Sequence, residues 1–91
     1  MFTSADFELI DQSYFNIIKL SLLTITIQSK NTRHFWHIEH LQYPTFQSHI
    51  IYHRHRSIGP YHRQANTRTL IKAIKIIQDH DTYYLQKIHA Y

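Results

Sequence analysis

The sequence has no cysteine, no valine, one glycine and two prolines in 91 residues. Without cysteine, neither a disulfide framework nor a thiolate metal site can form. No Asn-x-Ser/Thr acceptor occurs. Basic residues are missing from Met1 to Asp11, which holds Asp6, Glu8 and Asp11. That stretch does not read as a secretory n-region. The most apolar run, Ile17 to Ile27, is too short to span a bilayer and contains Lys19. These absences point to a cytoplasmic protein with no membrane partner.

The rest of the composition supports folding. At 43% hydrophobic and 14% aromatic, the chain is too rich in apolar side chains for disorder. Its length suits a single domain, 1–91, burying roughly 60–65% of its unfolded surface. Charge is unevenly spread. Lys30, Arg33, Arg54, Arg56, Arg63, Arg68, Lys72 and Lys75 face only Glu39 in the stretch 30–75, a net +7 against +4 for the whole chain. Most of the nine histidines lie in the same stretch. Such a segment attracts polyanions at long range.

Apolar periodicity predicts an α+β fold: a three-stranded antiparallel meander backed by one C-terminal helix. Leu20 to Gln28 alternates Leu23, Ile25 and Ile27 with Thr24, Thr26 and Gln28, the period-two pattern of a half-buried strand. His34 to Gln42 is the second strand, closed by Pro44, and Phe46 to His55 the third. Ser57 to Asn66, with Gly59-Pro60, reads as a loop. Thr69 suits the N-cap of a helix from Leu70 to about His80, with Leu70, Ala73, Ile74 and Ile77 on one face. This helix should cover the sheet and bury Trp36 near Ile74. The expected core spans about 20–80, and 81–91 is a tail. Residues 1–20 fit two readings. Thr3 to Asp6 forms a capping-box pattern, whereas Phe7 to Ile10 also suits a short edge strand.

In this arrangement one sheet face stays free. It is expected to carry Thr24, Thr26, Gln28, Phe35, His37, Glu39, His49, His53 and His55. Lys30 and Arg33 lie at the adjacent hairpin tip, and Arg54, Arg56 and Arg63 toward the opposite end. Arginine and lysine neutralise phosphates, and aromatic rings stack on unpaired bases. The expected nucleic-acid-binding residues are Lys30, Arg33, Arg54, Arg56, Arg63, His53 and His55. If His53 and His55 face phosphate, binding should tighten below about pH 6.5 as they charge. For a metal, His37, His53, His55 and His62 are the nearest set. They have no recognisable zinc spacing and only Glu39 as a nearby carboxylate, so no metal, cofactor or catalytic residue is expected.

Several motifs carry resemblances. Ser29-Lys30-Asn31-Thr32-Arg33-His34-Phe35-Trp36, His53-Arg54-His55-Arg56, Pro60-Tyr61-His62 and His80-Asp81-x-Tyr83 together resemble a family of small uncharacterised proteins on conjugative elements of Firmicutes. The resemblance runs from about Ile27 to Leu85 and implies glycine in a tight turn where this chain has Arg33. The strand-hairpin-strand-helix order is similar to double-stranded-RNA-binding domains and to the arm-binding domain of Tn916-type integrases, which grips DNA with its sheet. It also resembles the mRNA-cleaving toxins of the HicA type, which would make His34 a catalytic histidine. The scarcity of residues with G-starting codons fits a gene of mobile-element or phage origin.

The reading that follows is a small mobile-element or phage-type accessory protein that binds nucleic acid or a nucleoprotein through a basic, histidine-rich sheet face, with catalysis left open and the balance against it. Two alternatives stand beside it. One is a protein-docking inhibitor of the anti-CRISPR or anti-restriction type. The other is a histidine-dependent ribonuclease.

Overall fold

The computed structural model describes residues 1–42 and 48–89. Its elements are α1 (Ser4–Glu8), β1 (Phe15–Leu20), β2 (Thr24–Ser29), β3 (Phe35–His40), β4 (His49–Arg54), β5 (His62–Thr67) and α2 (Leu70–His89). The strands form one antiparallel sheet in chain order, β1 to β5. The fold is therefore α+β, but with five strands rather than the expected three.

Each missed strand has a physical reason. In β1 a register shift between Ile17 and Lys19 breaks the period-two pattern. Strand β5, His-Arg-Gln-Ala-Asn-Thr, is almost wholly polar because it is an edge strand, and all of it but Thr67 lies in the stretch read as a loop. The expected third strand began at Phe46, which lies outside the described residues; the observed β4 begins at His49.

At the N-terminus the helical reading holds. The Thr3 hydroxyl accepts from the Asp6 N–H, and the Asp6 carboxylate accepts from the Thr3 N–H at 2.8 Å, a reciprocal capping box. Thr69 caps α2 by the simpler one-way bond: its Oγ1 accepts from the Lys72 N–H at 3.2 Å. Helix α2 runs on through the expected tail to His89.

The core lies between the sheet and α2. Ile25, Ile27, Trp36, Ile38 and Ile51 come from the strands, and Leu70, Ala73 and Ile77 from the helix. Ile74 packs against this cluster, half-buried. Phe2, Ile10 and Phe15 complete it, so the core begins well before residue 20. Asp81 is fully buried. It accepts from the Tyr14 hydroxyl at 2.7 Å and the Thr32 hydroxyl at 3.0 Å, fastening α2 to the residue just before β1 and to the β2–β3 turn. Burial and this hydrogen bond push the Tyr14 phenol up to about 12.

The β2–β3 turn holds Arg33 at φ +65°, a left-handed conformation that an L side chain disfavours. This is the position at which glycine was expected. Arg33→Gly should raise stability by roughly 0.5–1 kcal/mol, because relief of the backbone strain exceeds glycine's extra entropy loss. A urea midpoint that falls instead would contradict the turn geometry.

Candidate functional site

Register decides which side chains share a face. Trp36 pairs with His53, Ile38 with Ile51 and His40 with His49, all on the face that α2 and the N-terminal segment cover. His37 pairs with Tyr52, and Phe35 with Arg54, on the open face. The expected face of β4 is thus reversed. His49 and His53 are buried under the helix side, His55 follows on that side, and His37 is no neighbour of His53. The error is a one-residue choice in a strand whose two faces are both mixed, Ile50 and Tyr52 against His49, Ile51 and His53.

The open face carries a row of rings around one guanidinium. The Arg54 guanidinium carbon lies 4.3 Å from the Tyr61 ring centroid and 5.3 Å from that of Phe35. Its Nη1 donates to the Gly59 carbonyl at 3.1 Å, which holds the side chain against the loop. Gly59 has φ +102°, a conformation an L side chain would strain. The His37 ring lies 5.8 Å from Tyr61 and 5.9 Å from Tyr52, extending the row. Burial, followed by the charge of Lys19, lowers the His37 pKa, and Glu39 opposes the shift. Arg63, opposite Tyr52, donates to Asn66 Oδ1 at 2.8 and 3.0 Å. The resulting surface offers flat apolar faces beside fixed positive charge.

The cations gather at one end of the sheet instead of two. Strand β3 starts, and β4 ends, at the Phe35–Arg54 pair, so the turn with Lys30 and Arg33 lies at the same end as Arg54 and Arg56. Arg56 is exposed in the β4–β5 loop. Lys30 donates to the Gln12 carbonyl at 2.7 Å.

At that same end, on the covered side, four imidazoles meet. His34 Nδ1 and His53 Nε2 are hydrogen-bonded at 3.0 Å. His55 stacks on His34 with centroids 4.1 Å apart, and His80 of α2 lies 4.7 Å from His53. Trp36 stacks on His53 at 4.0 Å, and Tyr84 meets His34 edge-on. Burial, then neighbouring imidazoles, lowers His53 to about 3. The same causes lower His34 to about 4, although Asp81 opposes the shift. His53 is thus buried on the covered side and does not lie on the open face where it was expected to meet phosphate. His34 is 3% exposed and paired to His53, not presented on the surface.

The sequence reading missed Tyr52 and Tyr61 on the open face and His80 in the cluster. A signal for His80 was present: it continues the stripe Ala73, Ile77, His80, Tyr84 at helical spacing. The set His37, His53, His55 and His62 is not assembled, since His37 lies on the other face.

Fold and site together define a small α+β protein, a five-stranded meander with one face covered and one open. Set against protein-family models, curated proteins and solved structures, the chain matches none. No helix among the described residues is long and apolar enough to cross a membrane.

Proposed function

We propose that this protein binds single-stranded nucleic acid on the open face of its sheet. The observation that carries this reading is the Arg54 guanidinium held over the Tyr61 and Phe35 rings, with Tyr52 and His37 continuing the row. Stacking on such rings is tolerant of base identity, because every base has a π-face. Arg54, Arg56 and Arg63, with Lys30 and Arg33 at the same end, supply positive charge for phosphates. An α-helix on this face would block duplex and strand alike, but α2 lies on the other side. Exposed ring faces beside cations suit splayed, unpaired bases, which can stack, better than a duplex, whose bases are already stacked.

The test is fluorescence anisotropy with single-stranded DNA, RNA and duplex probes. With about four phosphate contacts and a slope of about −0.7 per contact, single-strand affinity should fall roughly 50-fold between about 50 and 200 mM salt. Tyr52→Ala should cost about 1–3 kcal/mol of binding with the salt slope unchanged. Arg54→Ala with Arg56→Ala should flatten the slope. Absence of binding to all probes at low salt would exclude this reading and leave a protein partner for the face.

A further inference from the structure

The structure assigns a second site: we propose that His34, His53 and His80 hold one divalent transition-metal ion of the zinc class. One ring nitrogen from each of the three lies within 4.8 Å of the other two. The His34–His53 pair, at 3.0 Å, is already closer than the roughly 3.4 Å between ligand nitrogens around a tetrahedral zinc with bonds of about 2.0–2.1 Å. Closing the set requires a movement of up to about 1.4 Å by the third ring. His80 Nδ1 is buried without a hydrogen-bond partner, an uncommon state for a ring nitrogen. A metal would satisfy it.

The donor chemistry is selective. Three imidazoles with no carboxylate suit zinc, copper, nickel or iron, and not magnesium or calcium. Three protein ligands leave one position open. His80 also borders a groove of about 560 Å³ lined by His55, Tyr83, Tyr84 and Lys87, the nearest opening to the cluster. Elements far apart in sequence supply the ligands: the turn before β3, β4 and α2. No spacing motif could reveal the set.

The experiment uses untagged full-length protein, stripped with chelator and titrated with zinc chloride and with cobalt(II) chloride. One equivalent of zinc should bind with micromolar or tighter affinity and raise the thermal midpoint by several degrees. Cobalt should give visible bands of tetrahedral intensity. His80→Gln should abolish both, and its circular dichroism should show the fold retained, since His80 is only half-buried. His37→Gln, on the other face, should change neither. No saturable uptake, or uptake unchanged by His80→Gln, would overturn the proposal. If His80→Gln does not fold, cobalt spectra of His34→Gln serve instead, and unchanged bands overturn it equally.

Discussion

Trp36→Ala is expected to remove about 3–5 kcal/mol of stability, a large part of the 5–15 kcal/mol typical of a domain. Trp36 is fully buried at the centre of the sheet. Its loss leaves a cavity beneath α2 and takes away the ring stacked on His53. It also orphans a hydroxyl. The indole Nε1 donates to Ser29 Oγ at 3.1 Å, and Ser29 is fully buried. Trp36→Phe keeps much of the volume but still orphans Ser29, so it should fall between the two, at roughly 1–3 kcal/mol. Urea unfolding followed by far-ultraviolet circular dichroism reads both. A loss below 1 kcal/mol for the alanine variant would mean that Trp36 is not the centre of the core.

Acidification should weaken the metal-free protein by roughly 3 kcal/mol between pH 6.5 and pH 3–4. In the unfolded chain His34 and His53 take up protons near the ordinary value of 6.5. In the folded chain they do so only at about 4 and about 3. Within that window the unfolded state holds more protons, so stability falls as pH falls. Above it both states are neutral and these groups add no pH dependence; below it both states are charged and the loss levels off. Each group alone corresponds to a larger figure. The value is reduced because the two rings titrate as a pair and solvent screens the rim. Urea midpoints at about pH 7.5, 5.5 and 4, with chelator present, measure the effect. His53→Gln should flatten the profile, and a wild-type midpoint constant down to about pH 4.5 would rule out a buried neutral pair.

Strong alternation made β2 and β3 legible, and the 3.6-residue stripe from Leu70 to Ile77 made α2 legible. Strand β1 was hidden by its bulge, and β5 by the polarity that edges favour. The candidate site was harder to read for a different reason. Arg54, Arg56 and Arg63 stood out by charge, but which rings flank Arg54 depends on register, and register turns on one residue of β4. The histidine cluster lies further still from the sequence. Asp81 belongs to a helix that was expected to end near His80. The continuation of α2 past His80 brings Asp81 to Tyr14 and Thr32.

Among the described residues the sheet has two unpaired rims, β1 and β5, each able in principle to recruit a strand from another chain. Both are built in ways that work against this. The register shift at Ile17–Lys19 interrupts the straight ladder on one side and places Lys19 there, while β5 presents His62, Arg63, Gln64 and Asn66 on the other. A protein with this much β-branched and aromatic side chain in short consecutive hairpins is exposed to fibril-like self-association. Its guard against that fate is found in the two strands whose sequences look least like strands.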